Sequence, residues 1–208
     1  MEGIKVKVCG MKNPENIREL LELQPDFMGF IFYQKSKRFA EPELDQELLL
    51  QFPERTKKVA VFVDEEEDKI MEIVKKYDIK MIQLHGHESP AFCETLRRKG
   101  LTIIKVFSVG EAFDFKKLEP YLLHTDYFLF DTKGKEYGGN GVTFDWSILK
   151  EYKYDKPIFL SGGIGTENVT SIKDLKIPVY AIDVNSKYET EPGVKNISLL
   201  KESIFNEA

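Results

Sequence analysis

The sequence predicts an α/β protein built as a single (β/α)₈ barrel, one domain over residues 1–208. Three observations predict it. Short apolar, β-prone runs alternate with longer amphipathic stretches eight times along the chain, and such alternation requires crossover helices and hence a parallel sheet. No linker, low-complexity segment or shift of composition divides the 208 residues, a length that suits one well-cored domain. Polar or reactive groups recur at the carboxyl ends of the strand candidates, where parallel α/β folds place function. The alternation alone also allows a doubly wound open sheet; the strand ends decide for closure, because a barrel brings all of them to one face.

The elements follow in order. Ile4–Cys9 is the first strand, and a helix over Pro14–Leu23 starts with Asn13 as N-cap and proline at the first helical position. Strand Phe27–Phe32 leads through a polar loop to the helical pattern Pro42–Gln51. Strand Lys58–Val63 precedes a charged helix from Glu65 to Tyr77, in which Ile70, Ile73, Val74 and Tyr77 form one apolar face. Met81–Leu84 is followed by a helix over Pro90–Lys99 that stops at Gly100. Thr102–Phe107 is the fifth strand, with a weaker helix near Phe115–Leu123. Tyr127–Asp131 is the sixth, and its helix, Phe144–Tyr152, comes after a long glycine-bearing loop. Ile158–Ser161 and Tyr180–Val184 complete the barrel, with a helix over Asn168–Leu175 between them and a last one near Ile197–Phe205.

The formal charge is −5, from 30 basic and 35 acidic residues spread along the chain, and 42 % of residues are apolar. That composition suits a soluble globular protein and carries no nucleic-acid footprint. An anionic ligand must therefore be held by local groups, since the net field does not favour it. No segment is apolar for long enough to span a bilayer, and the start, Met1 to Val6, alternates like a strand rather than a signal peptide. Two cysteines, Cys9 and Cys93, suit a reducing cytosol better than a disulfide framework, with a Cys9–Cys93 bridge the lesser reading. The expected location is cytoplasmic, with no membrane and no nucleic-acid partner.

The strand ends carry the chemistry. In order they present Cys9, Arg38, Gln83 and His85, Asp131, Gly162-Gly163, and Asp183 with Asn185-Ser186. Glycines let backbone N–H groups approach an anion, and the loops after strands seven and eight are the usual phosphate site of such barrels. A lone Gly-Gly is a tight turn; paired with Asn185-Ser186 at the next strand end it reads as an anion cradle. Cys9 ends strand one, and Lys7, on the same strand face, favours a thiolate if it points into the barrel mouth. The bland alternative is a small buried apolar residue, the default for Cys93. Asp131 ends an apolar run, where desolvation raises a carboxyl pKa and suits a general acid, or where an aspartate merely fixes a loop. Asp183 has the same ambiguity, with ligand-hydroxyl binding as its functional side. Arg38 offers a planar fork for a carboxylate, or a solvated basic turn. His85-Gly86-His87 has the spacing of two metal ligands, but no further His or Cys cluster completes the set, so no metal is expected. Gly134, Gly138, Gly139 and Gly141 make the loop after strand six either a lid or a series of turns.

Taken together, these blocks resemble the phosphoribosylanthranilate isomerases of tryptophan biosynthesis over the full chain length. The resemblance rests on Lys7-Val8-Cys9-Gly10, Gly29 to Tyr33 with Ser36 and Arg38, Gln83-Leu84-His85-Gly86, Asp131-Thr132, Gly138 to Gly141 with Phe144-Asp145-Trp146, Leu160 to Ile164, and Asp183 to Ser186 with Glu189, Pro192-Gly193 and Lys195. It implies a TIM barrel and an Amadori rearrangement of N-(5-phosphoribosyl)anthranilate to the 1-deoxyribulose 5-phosphate. It further implies Asp131 as general acid on the furanose oxygen and Cys9, as thiolate, as base at C2′. Arg38 would hold the anthranilate carboxylate, Gly162, Gly163 and Ser186 the phosphate, and Asp183 the ribose hydroxyls. The partner implied is a small phosphorylated sugar, with no cofactor and no metal, on a monomer or homodimer. Three positions depart from the family's pattern: Asn140 for threonine, Lys37 for proline and Lys187 for glycine, the last beside the proposed phosphate site. Rival readings are a histidine-pathway or dual-substrate isomerase, which needs a second anion site in the first half, and a silent phosphate-binding barrel serving as regulator or assembly partner.

Overall fold

The computed structural model describes residues 3–132, 145–175 and 177–205. Strands β1 (Lys5–Val8), β2 (Phe27–Ile31), β3 (Lys57–Phe62), β4 (Met81–Leu84), β5 (Thr102–Val109), β6 (Tyr127–Thr132), β7 (Ile158–Leu160) and β8 (Val179–Val184) pair in sequence order. β8 returns to β1, so the sheet is a closed parallel barrel. The rival open sheet is excluded by that last pairing. Along each strand, side chains alternate between the barrel lumen and the helix layer. Phe27, Val59, Ile104, Val106, Leu129, Phe159 and Ala181 form a buried cluster of their own inside the strands, while Val8, Met28, Phe30, Ile82 and Phe128 pack outward in the larger core under the helices.

The first half carries α-helices where apolar spacing and caps agree. In α1 (Pro14–Glu22) the Asn13 side chain accepts the Asn16 N–H at 3.0 Å, and Ile17 and Leu20 are buried. In α2 (Gln46–Leu50) Asp45 is the cap, so the expected start at Pro42 falls in the turn over residues 41–43 that precedes the helix. Helix α3 (Glu67–Lys76) has no side-chain cap but puts Glu67 and Asp68 in its first turn and Lys75 and Lys76 in its last, matching the helix dipole. Ser89 caps α4 (Pro90–Arg98), which buries Cys93. Cys93 and Cys9 are both free, so no bridge joins them.

The second half departs from expectation. The three segments expected as helices are 3₁₀ helices over Phe115–Tyr121, Trp146–Glu151 and Val169–Asp174. Pro120 lies inside the first and lacks the N–H an α-helix would use. Six or seven residues with apolar positions three apart satisfy the tighter winding equally well. After β8 a polar hairpin, β9 (Glu189–Glu191) with β10 (Val194–Lys195), leads into α5 (Ile197–Leu200) and a wider final turn to Phe205. Among the described residues no helix is long and apolar enough to cross a membrane.

Candidate active site

A cleft of about 770 Å³, open to solvent, lies at the carboxyl ends of the strands. It is lined by Cys9, Arg38, Asp131, Gly162, Gly163, Asp183 and Ser186 together with Gln83, His85 and Lys187. All seven residues singled out from the sequence thus meet in one place.

Cys9 follows β1, its N–H donating to the Val184 carbonyl at 2.9 Å. A Cβ built on Gly29 would sit 2.7 Å from the Cys9 sulfur, so the bare glycine of β2 is what makes room for the thiol. Lys7, two residues earlier on the same face, is fully buried, and its Nζ donates to Asp183 Oδ1 at 2.8 Å. Burial lowers the Lys7 ammonium, but Asp183 and Cys9 together outweigh it and hold its pKa above the ordinary value. For Cys9 the balance runs the other way. Burial pushes the thiol up, and the neighbouring Lys7 charge only partly offsets this. Lys7 therefore acts in the expected direction, yet the substrate-free thiol stays protonated because desolvation is the larger effect.

Asp131 is the penultimate residue of β6, and its Oδ1 accepts the Thr132 N–H at 2.8 Å. Burial raises its pKa to about 6 despite that bond, with Asp183 adding to the rise. His85 Nε2 lies 3.6 Å from Asp131 Oδ2. Burial, with Lys105 and Lys7 adding, lowers the imidazole to about 3, so His85 is a neutral neighbour of the carboxyl rather than its counter-ion. Gln83 Nε2 lies 3.4 Å from His85 Nδ1. The sequence placed both residues at a strand end without a role; the structure sets them beside Asp131. His87 is not part of the cleft and pairs with Asp64 at 3.0 Å, so the two histidines do not share a site.

Arg38 reaches the cleft with its fork already engaged. Nε donates to Glu189 Oε1 at 2.9 Å and Nη2 to Glu189 Oε2 at 2.7 Å, leaving Nη1 without a hydrogen bond among the described residues. Lys195, fully buried, donates to Glu189 Oε1 at 2.5 Å and to Asn185 Oδ1 at 2.9 Å. Burial works to raise the Glu189 carboxyl, but the bonds from Arg38 and Lys195 overcome it and hold the group below its ordinary value. Asn16 of α1 clamps Lys195 through two backbone bonds of 2.7 and 3.0 Å, fixing the hairpin. Sequence reasoning assigned no role to Glu189 and Lys195, although both lie in the blocks that carry the resemblance.

Gly162 and Gly163 take φ of 89° and 64°, left-handed backbone that L side chains rarely adopt. A Cβ on Gly162 would also strike Thr132 and approach Asp131 Oδ1 to 3.1 Å, so this loop packs directly on the loop of the buried carboxyl. Asn168 holds it from the far side, donating to the Gly163 carbonyl at 3.0 Å and accepting the Gly165 N–H at 2.9 Å. Ser186 and Lys187 flank it from the end of β8. The glycines at 134, 138, 139 and 141 and Asn140 lie outside the described residues.

Comparison with known proteins identifies the family. The family model for N-(5'phosphoribosyl)anthranilate (PRA) isomerase matches residues 6–206. The chain is 46 % identical over 201 residues to an N-(5'-phosphoribosyl)anthranilate isomerase of Parabacteroides distasonis, covering 96 % of this chain and 91 % of that protein. The crystal structure of phosphoribosyl anthranilate isomerase from Thermotoga maritima superposes with a TM-score of 0.86 at 36 % identity, covering 98 % of each chain. A phosphoribosyl anthranilate isomerase solved with reduced 1-(o-carboxyphenylamino)-1-deoxyribulose 5-phosphate superposes with a TM-score of 0.81 at 33 % identity over 95 % of each chain. A closed parallel barrel, a cleft at its strand ends and matches over nearly the whole length point one way: the chain belongs to the N-(5'phosphoribosyl)anthranilate (PRA) isomerase family.

Proposed function

We propose that Asp131 and Cys9 are the proton-transfer pair of the family's Amadori rearrangement in tryptophan biosynthesis, converting N-(5-phosphoribosyl)anthranilate to 1-(2-carboxyphenylamino)-1-deoxyribulose 5-phosphate. The observation that carries this reading is the pairing of a buried carboxyl at about pKa 6 with a thiol beside a buried ammonium, in one cleft. Asp131 gives its proton to the furanose ring oxygen as the C1′–O bond breaks, leaving an open-chain iminium. Cys9 thiolate removes the C2′ proton to give an enolamine, which tautomerises to the ketone. General acid and general base each contribute about 10²–10⁴-fold in such reactions. Neutral His85 borders the carboxyl without adding a charge that would pull its pKa down.

Arg38 takes the anthranilate carboxylate, through its remaining edge or by displacing Glu189. The Gly162-Gly163 loop and Ser186 take the 5′-phosphate, and Asp183 the ribose hydroxyls, in keeping with its place beside Lys7. All these groups come from one chain, which suits a monomer or a homodimer of independent sites. The chain works as one catalytic domain over residues 1–208 and, by its composition, in the cytoplasm.

A doubly phosphorylated substrate fits poorly. A second anion site in the first half would draw on the backbone N–H groups at the ends of β3 and β4, and those of Asp64 and Gly86 already donate to the Glu88 carboxylate at 3.0 Å. Glu88 is itself tied to buried Lys105 at 3.0 Å, so this internal anion is fixed in place. The test is turnover of freshly made phosphoribosylanthranilate followed by fluorescence. Cys9→Ala and Asp131→Ala are each expected to abolish it while sparing binding of the reduced product; turnover surviving both changes refutes the assignment.

A further inference from the structure

Lys187 stands directly after Ser186 at the end of β8 and borders the cleft beside Gly163. Its Nζ lies 3.1 Å from Glu167 Oε1 on the loop after β7, so the pair spans the two loops that flank the anion cradle. Glu167 folds back over this loop, since a Cβ on Gly165 would collide with its carboxylate. The pair is exposed, 39 % on the lysine and 56 % on the glutamate, and such ion pairs are weak and exchange partners readily.

Charge balance gives the lysine a task. Among the described residues that line the cleft, Arg38 and Lys187 are the cations, because His85 is held neutral. Arg38 is bound to Glu189, and Asp131 and Asp183 line the same space. A phosphate monoester brings about 1.5 to 2 negative charges at neutral pH. Backbone N–H groups supply dipoles to it but no neutralising charge, and Lys187 is the cation within the two flanking loops that can.

We propose that Lys187 is a further phosphate-binding residue, one that leaves Glu167 for the substrate's phosphate, so that Glu167 is an internal anion competing with substrate. The inference rests on the reading of the Gly162-Gly163 loop as the phosphate site. A dianion outbids a single carboxylate for one ammonium, which makes the site favour the fully ionised phosphate.

Competitive inhibition of turnover by inorganic phosphate tests it. Lys187→Ala raises the inhibition constant about five- to tenfold, the range for one exposed charge-assisted contact, with the effect on substrate falling on KM rather than kcat. Glu167→Gln, which frees the ammonium, lowers the constant about two- to fivefold on the same grounds, and the double variant behaves as Lys187→Ala. A merely structural ion pair moves both single variants in the same direction, which overturns the inference, as does an unchanged constant in Lys187→Ala. If phosphate fails to compete in the unaltered enzyme, the phosphate-site reading falls and the inference with it; competition that ignores Lys187 sinks the inference alone.

Discussion

Lys7 and Asp183 are register partners across the β1–β8 ladder, their charges 2.8 Å apart and neither side chain more than 6 % exposed. Lys7→Met leaves a buried carboxylate without its partner. The expected cost is about 3–5 kcal/mol of folding stability, read by urea denaturation. The same change removes the neighbour that most lowers the Cys9 thiol, Lys195 being the lesser one, so alkylation of Cys9 shifts to higher pH and kcat falls.

The proposed acid and base are ionised in reverse order. Asp131 loses its proton near pH 6, whereas the Cys9 thiol titrates above its ordinary 9. The working form needs protonated Asp131 and ionised Cys9, so kcat/KM rises with pH up to about 6, stays level, and falls only where Cys9 titrates. Between those limits each gain in thiolate is matched by a loss of carboxylic acid. A pH–rate profile with a single sharp optimum near 6 contradicts this.

Stability follows the same carboxyl with a definite sign. The folded state raises Asp131 from 3.8 to about 6, so the fold favours its protonated form. That contribution is full below pH 4 and is lost as pH rises through 6. Asp131→Asn, neutral throughout, therefore gains stability relative to the unaltered protein at pH 8 but not at pH 4, measured by denaturation at both.

Gly29→Ala places a methyl group 2.7 Å from the Cys9 sulfur, inside contact distance. The thiol must move, and a displacement of about 1 Å at a reacting atom costs about 100-fold in rate. Steady-state kinetics should show the loss in kcat, with phosphate inhibition unchanged.

Arg38→Met is expected to raise KM about 10- to 100-fold for the anthranilate substrate, the worth of a bidentate charged contact. It should leave turnover of the analogue made from aniline, which lacks the carboxylate, within about twofold of the parent on the same reasoning. Equal losses on both substrates would assign Arg38 to holding the hairpin through Glu189 instead.

What the sequence disclosed depended on range. Strands surfaced as apolar runs, α1 announced itself through Asn13-Pro14 and α4 through its stop at Gly100, because such signals act within a few residues; the Ser89 cap of α4 went unread. The 3₁₀ segments of the second half were hidden, since six residues with apolar positions three apart fit either winding. The polar hairpin of β9 and β10 offered no apolar alternation to read. The placement of Cys9, Asp131 and the glycine pair at strand ends around one cleft was legible. The Arg38–Glu189 bond, between residues 151 positions apart, was not, and neither was the balance at Cys9, where alternation supplied the sign of the Lys7 effect but not the depth of burial that outweighs it.

That burial shields the enzyme from oxidants. Peroxides attack thiolates, and climb from sulfenic to irreversible sulfinic and sulfonic acids at sites where sulfur is both ionised and exposed. Cys9 is 4 % exposed, and burial holds its pKa above the ordinary thiol value. The same desolvation that disfavours the Cys9 thiolate disfavours its oxidation too, and Cys93, the other free cysteine, is buried on α4.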